Sequence, residues 1–412
     1  MRITVLTLGC RTNQAESARL EEQLVAVGHI TTRSLSDADV IVINSCSVTS
    51  KADQQSRQLI SKALRSGSRV IVTGCYADLN MERLSRETGN IDIVPNKFKD
   101  DIINRIPNDI CGTSPVELTV PRRRPIMKIQ DGCNNSCSYC IIPRARGLSR
   151  SILPETILDE VINYDSLGYK EVVLSGIHLG VYGQDLIPAF SLTELLELLL
   201  IKTKINRIRL SSIEITEVTD GILDLMKENR ICQHLHLPLQ GGTDKTLKSM
   251  NRPYTIDEYK RVLERIIQAN DNIGIGTDII VGFPDETDED YERSLKEVSS
   301  MQFSYLHVFP YSGRPGTAAY NMPNQVAAQT KKNRARQMTE LGSLKRANFI
   351  TKNMEYEHDI VIESVRNGRA IGTTSNYIKA ILDSDKEIVA GMLMKVRIAG
   401  RYGSDAAAIP LT

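Results

Sequence analysis

Short β-branched runs alternating with polar, helix-compatible stretches are the feature of this sequence that most restricts its fold. "ITVLTL", "DVIVIN" and "RVIVTG" occur within the first 95 residues, each followed by a segment able to form a helix. Strands and helices in alternation build βαβ units, and βαβ units build parallel sheets. From about residue 125 a second series begins: "IMKIQ", "EVVLSG", "RIRLSS", "HLHLPL", "GTDIIVG" and "YLHVF", separated by helical stretches such as 154–168, 191–203 and 256–270. Six repeats fall short of the eight that close a complete barrel, for which ~250 residues are typical. An open, partial (β/α)6 barrel is therefore predicted. Residues 346–412 alternate apolar and polar side chains around turns at "RNG", "DSD" and "RYGSD", the pattern of a small antiparallel β-barrel. The expected α/β chain has three domains: a parallel βαβ sheet over 1–117, the partial barrel over 122–345 and the β-barrel over 346–412.

Cysteine supplies the chemistry. "TLGC", "INSC" and "VTGC" put Cys10, Cys46 and Cys75 just past the carboxyl ends of the first three strands. Ligands of open α/β sheets bind outside those ends. Adjacent strands lie ~4.8 Å apart, so three thiolates from neighbouring loops can converge. Three unrelated buried cysteines would read the same way, and zinc with a fourth ligand also suits the residue type. A second triplet, Cys133, Cys137 and Cys140 in "DGCNNSCSYCIIPRARG", has C-x3-C-x2-C spacing and follows the first strand of the second series. Closed metal sites take four protein ligands, so three leave a position open. Cys111 and Cys232 fall outside both triplets and read as inert small hydrophobes. Ser175, Gly176, Glu214, His236 and Gln240 collect at carboxyl ends of the second series, the face that carries chemistry in a barrel. His234 and His236 are expected to alternate across their strand, with one facing the site.

Charge is balanced overall: 51 basic against 50 acidic residues among 412 give a net +1, which excludes a general basic field. Its distribution is uneven. Residues 121–150 carry seven Arg/Lys against Asp131 alone, and residues 327–346 carry six against Glu340 alone. Such patches can contact phosphates, which makes Arg122, Arg123, Arg124, Arg144 and Arg146 candidate RNA contacts. The competing reading is a solvated linker in "PRRRP" and a solvated helix face in "KKNRARQ". No apolar run reaches the ~18 residues of a membrane span, and "MRITVLTLGC" reads directly into a strand. A cytoplasmic protein is expected, and in that compartment clustered thiols bind metal more readily than they pair.

"CNNSCSYC" resembles the C-x3-C-x-aromatic-C signature of the radical S-adenosylmethionine (SAM) superfamily. Together with the three upstream cysteine motifs, "SGIHLG", "SSIE", "HLPLQGG", "TDIIVGFPDET" and "FPYSGRPGT", it is similar to the methylthiotransferase family along nearly the whole chain. That resemblance implies an N-terminal three-cysteine domain, a radical SAM partial barrel and a C-terminal TRAM domain. "TLGCRTNQAES" and "DGCNNSCSYCIIPRARG" look most like the branch that modifies N6-threonylcarbamoyladenosine in tRNA. That branch usually has Lys-Val where Arg11-Thr12 stand here, and Tyr in place of Ala15.

The resemblance also implies two 4Fe–4S clusters, one on Cys10, Cys46 and Cys75 and one on Cys133, Cys137 and Cys140, each with an open iron. At the second, SAM would be chelated and reductively cleaved to a 5′-deoxyadenosyl radical. Tyr139, Ser175, Gly176, Glu214, His236 and Gln240 would line the SAM pocket. The first would hold the sulfur, methylated by another SAM, for conversion of C–H to C–S–CH3 at C2 of the nucleoside at tRNA position 37. Implied partners are tRNA, an electron donor such as a flavodoxin or ferredoxin and a sulfur donor, with no membrane. Action on another tRNA adenosine or on a ribosomal-protein aspartate stays open, as does a non-catalytic RNA-binding zinc protein. The near-neutral terminal segment, nine basic against eight acidic residues over 346–412, does not choose among them.

Overall fold

A five-stranded parallel sheet forms from β1 (Arg2–Thr7), β2 (Ile30–Thr31), β3 (Val40–Ser45), β4 (Arg69–Gly74) and β5 (Ile91–Ile93) in the order β2-β1-β3-β4-β5. The structure is a computed structural model and describes residues 1–88, 91–107, 123–383 and 387–411. Val40, Ile41, Val42 and Ile43 are wholly buried because both faces of β3 are covered, which is why the strand reads as an unbroken apolar run. Val40 and Val42 pack with Leu20 and Leu24 of α1 (Arg11–Ala26). Ile41 and Ile43 pack with Ile60 and Ala63 of α2 (Ser50–Leu64). Each such aliphatic side chain contributes roughly 1.5–3 kcal/mol by burial. The strand order reverses between β1 and β3, the position at which doubly wound sheets bind ligands.

The second series builds the predicted partial barrel. Six strands, β6 (Ile126–Lys128), β7 (Glu171–Ser175), β8 (Arg207–Leu210), β9 (His234–His236), β10 (Gly274–Val281) and β11 (Tyr305–Pro310), pair in parallel as β6-β7-β8 and β9-β10-β11. The two halves are joined by parallel bridges Ile208–Ile231 and Ser212–His236. Several outer helices open on capping boxes, at Ser191–Glu194, Thr255–Glu258 and Thr287–Asp290, so their boundaries are written locally. The C-terminal segment closes into a barrel of β12 (Glu357–Arg366), β13 (Arg369–Thr374), β14 (Lys379–Asp383), β15 (Leu393–Tyr402) and β16 (Asp405–Pro410), ordered β12-β13-β14-β16-β15. Its interior is filled by Ile360, Ile362, Leu382, Val396 and Ile398. Among the described residues, no helix is long and apolar enough to cross a membrane.

By packing, the chain divides into two compact units. One comprises Met1–Pro121, Asp131–Ser149 and Ser312–Tyr320; the other comprises Arg122–Gln130, Arg150–Tyr311 and Asn321–Thr412. The loop carrying the second cysteine triplet therefore belongs with the N-terminal sheet, and the small β-barrel belongs with the partial barrel.

Candidate active site

The first triplet springs from aligned positions. Thr7 pairs with Asn44 and Asn44 with Thr73, so Cys10, Cys46 and Cys75 leave neighbouring strands within a residue or so of one another. Cys10 caps α1, and Cys75 opens α3 (Cys75–Leu79). Gly9 has φ +102°, and a Cβ there would stand 2.8 Å from Cys46 Sγ; glycine lets the β1 loop approach the second thiol. Cys46 and Cys75 are buried, whereas Cys10 is exposed. Burial pushes the Cys46 thiol up to about 11, with Cys75 and Cys10 acting in the same direction. Burial also raises Cys75, against the cations of Arg146 and Lys99. Thiols that ionise reluctantly alone, gathered at one sheet end, suit a bound group that brings positive charge.

The second triplet lies in one closed loop. Cys133 N donates to Gly147 O at 3.1 Å and Cys140 N to Cys137 O at 3.0 Å. All three cysteines are partly buried, as is Tyr139 between them, and a short helix α4 (Ile142–Arg146) follows. Three thiols in eight residues fit an iron–sulfur cluster with an open position.

Arg146 joins the two triplets. Its side chain is wholly buried; Nη1 donates to Glu16 Oε1 at 2.9 Å and Asp131 Oδ1 at 2.7 Å, and Nη2 donates to Asn13 Oδ1 at 2.5 Å. Lys99 Nζ donates to the other Glu16 oxygen at 2.6 Å and to Asn44 Oδ1 at 3.2 Å. Asn13 closes the network with Nδ2 on Leu8 O at 2.7 Å and Ser45 O at 3.1 Å. The segment 312–320 also belongs to this unit: Arg314 Nη2 donates to Ser47 Oγ at 2.8 Å and Asp53 Oδ2 at 2.7 Å.

The remaining expected residues are in the partial barrel. Ser175 ends β7, fully buried, and Gly176 follows against the Gln130 side chain. Glu214 is paired with Arg252; burial raises its pKa while Arg252 opposes. Gln240 holds φ +68°, with its N donating to Asp278 O at 2.8 Å. His236 is buried, its Nδ1 2.7 Å from Ser212 Oγ and its Nε2 3.2 Å from Asp278 Oδ1. His234 does not point away from His236: both rings stack on Tyr305 at 6.0 Å. Residues two apart share a strand face, so the expected alternation was a misreading of the period.

Two candidate RNA contacts are committed internally. Arg146 is spent on Glu16, Asp131 and Asn13. Arg124 pairs with Glu171 at 3.1 Å and Glu363 at 3.0 Å, beside Arg207 and Arg209 on the same wholly buried Glu171. Burial alone would raise Glu171, yet the three guanidiniums hold it well below the usual carboxylate range. Arg144 is exposed and Arg123 is half-buried; Arg122 and Cys111 lie outside the described residues, and Cys232 is buried. The basic run after residue 327 is not simply a solvated face, because Arg334 is buried on Glu286 at 2.6 Å and Lys345 donates to Met301 O at 2.6 Å. Sequence reasoning missed Glu16, Lys99, Arg252, Asp278 and His307. Asp278 alone carried a signal, as a charge inside an otherwise apolar strand.

Comparison with known proteins converges on the same elements. Residues 127–298 match the Radical SAM superfamily, and residues 2–95 match the Uncharacterized protein family UPF0004. The chain is 34% identical to a threonylcarbamoyladenosine tRNA methylthiotransferase MtaB of Bacillus subtilis, over 95% of this chain and 92% of that protein. It is 36% identical to one of Aquifex aeolicus, over 97% and 100%. A 31% identical relative from Syntrophobacter fumaroxidans is a tRNA-2-methylthio-N6-dimethylallyladenosine synthase, matched over 97% of this chain and 93% of its own length. Among solved structures, the radical SAM methyltransferase TsrM from Kitasatospora setae, with cobalamin and a 4Fe–4S cluster bound, superposes with TM-score 0.57 at 13% identity, covering 77% of each chain. That likeness is one of fold.

Proposed function

This chain belongs to the radical SAM methylthiotransferase family, and we propose on that premise that it methylthiolates C2 of N6-threonylcarbamoyladenosine at position 37 of tRNA. The observation that carries the reading is the presence of two cysteine triplets in one compact unit, one at three aligned strand ends and one in a single loop. Cys133, Cys137 and Cys140 would hold one 4Fe–4S cluster, and Cys10, Cys46 and Cys75 a second. A cluster with an open iron supplies a chelating position and an electron for cleavage of SAM. Two SAM molecules serve, one donating the methyl and one taking the C2 hydrogen away as 5′-deoxyadenosine. A sulfur donor and a small electron carrier such as a flavodoxin or ferredoxin are required in addition.

The protein's own groups prepare this chemistry. Arg146 and Lys99 set two buried cations beside Cys75 and favour its thiolate. The burial of Cys46 and Cys75 keeps water from two of the three proposed ligands of the first triplet. Tyr139, which lies between Cys137 and Cys140 in the chain, is proposed to contact the SAM adenine. Ser175, Gly176, Glu214 and Gln240 are proposed for the rest of SAM, and Arg123 and Arg144 for tRNA phosphates.

The test measures 5′-deoxyadenosine and methylthiolated nucleoside in parallel. Cys133→Ala should abolish both. Replacing Cys10, Cys46 and Cys75 together by Ala should leave SAM cleavage with roughly half the iron and no methylthio product. Continued methylthiolation by the triple variant, or SAM cleavage at the unaltered rate by Cys133→Ala, would overturn the assignment.

A further inference from the structure

The inner face of the partial barrel is polar where such interiors are ordinarily filled by branched aliphatic residues. Leu306 and Val308 of β11 pack into the outer core, so the alternate residues Tyr305 and His307 face inward. His234 and His236 of β9 stack on that same face. Asp278 of β10 lies between the strands: its Oδ1 is 3.2 Å from His307 Nδ1 and 3.2 Å from His236 Nε2. The two imidazoles are 5.2 Å apart by ring centroids.

Two features show a group built to receive something rather than to fill space. His236 is 6% exposed, with its Nδ1 held by Ser212, yet its Nε2 has no aligned hydrogen-bond partner. A buried polar atom left this way is costly unless a ligand completes it. His307 has 52% of its side chain exposed, and Asp278 occupies its Nδ1. That leaves Nε2 on the outward side of the ring, fixed in direction by the carboxylate behind it.

We propose that Ser212, His236, Asp278 and His307 form the subsite for the acidic substituent of the substrate adenosine, with doubly protonated His307 donating Nδ1–H to Asp278 and Nε2–H to the substrate carboxylate. This rests on the reading of the substrate as N6-threonylcarbamoyladenosine, whose threonyl group carries one carboxylate and one hydroxyl beyond the base. His307 meets the carboxylate, and His236 Nε2, which Asp278 approaches at 3.2 Å without alignment, faces the same substituent. Asp278 is a positioning residue: it orients both rings and touches no substrate. An unmodified adenosine would leave the four residues without a ligand, so they determine specificity.

The test uses the reconstituted full-length enzyme with two forms of one tRNA, carrying either N6-threonylcarbamoyladenosine or plain adenosine at position 37. His307→Ala should raise KM for the modified tRNA about 10- to 100-fold, the range of one hydrogen bond to a charged group. The dissociation constant for the plain tRNA should shift at least tenfold less, and iron content and the 5′-deoxyadenosine formed in the absence of tRNA should stay at wild-type levels. His307→Gln, which keeps a donor near the position of Nε2, should recover part of the loss. Equal losses on both tRNAs, or no loss on the modified one, would overturn the subsite. His236, Asp278 and His307 also bring one ligand atom each within 4.8 Å of one another. A preference for the modified tRNA that disappears with EDTA and returns with zinc would therefore assign them to a cation and overturn direct recognition. Failure of the wild-type enzyme to methylthiolate the modified tRNA would instead defeat the proposed function.

Discussion

Arg146→Met removes the guanidinium that ties the second cysteine loop to the N-terminal sheet while keeping most of its volume. The magnitude follows from burial. Arg146 has none of its side chain exposed, Glu16 has 4% and Asp131 has 10%, so solvent screens little of the interaction. Glu16 keeps Lys99 at 2.6 Å, but Asp131 loses its ion pair with Arg146. Removing one partner of a buried pair costs about 3–5 kcal/mol, because the remaining charge is uncompensated. That is a large part of the ~5–15 kcal/mol that holds a typical domain together.

The assay is urea unfolding of cluster-free protein under reducing conditions, read at the transition of the N-terminal unit. Asp131→Asn in the same background should restore part of the loss, with a coupling above about 1 kcal/mol in the double-mutant cycle. If Arg146 served RNA instead, Arg146→Met would leave stability within ~0.5 kcal/mol of wild type. It would also reduce the salt slope of tRNA binding by about one unit. That pair of results would refute the internal role.

In the cluster-free protein, iodoacetamide at pH 8 should label exposed Cys10 first. With its thiol pushed up to about 11 by burial, Cys46 is ~0.1% thiolate at that pH and should react at least a hundredfold more slowly, gaining about tenfold per pH unit; equal labelling rates would contradict the burial. Neutralising Arg123 and Arg144 together should weaken tRNA binding and lower its salt slope by about one unit for each phosphate no longer neutralised. Lys345 is lowered to about 8 from 10.5 by burial, so between those pH values the unfolded chain binds more protons than the folded one. Stability should therefore rise with pH across that window, and Lys345→Met should flatten the rise in a thermal-unfolding series.

Much of the frame was legible because it is local. β3 and β4 read as strands since both faces are buried; the first triplet stands out because cysteine recurs at equivalent strand ends, and the second because three cysteines fall within eight residues. The short β2 and β5, two and three residues long, carry too few side chains to leave a pattern. The charged network was illegible for a different reason. Arg146 and Glu16 are 130 residues apart, and an arginine beside a cysteine motif has the same letter whether it meets phosphate or a buried carboxylate. Asp278 and His307 gain meaning only from the register that sets β10 against β11.

The same network makes a prediction about where this chain can be cut. From sequence, residues 1–117 look like a sheet domain that folds separately, since all three strand-end cysteines lie within it. In the folded chain that sheet depends on later segments: Arg146 serves Glu16 and Asn13, Arg314 serves Asp53, and Asn96 Nδ2 donates to Ala145 O at 2.8 Å. A fragment ending at residue 107 keeps the carboxylates and loses the cations. Water reaches the vacated positions, so each loss is nearer that of a charged hydrogen bond, ~1.5–3 kcal/mol, than that of a buried orphan charge. Two such pairs put the fragment at least ~3 kcal/mol below the same sheet in the whole chain, measurable as a lower urea midpoint. Adding residues 131–149 as a separate peptide should return part of that loss, because it supplies Arg146. A fragment as stable as the intact unit, indifferent to the peptide, would mean that the sheet stands alone and that the buried arginines contribute nothing net to its stability.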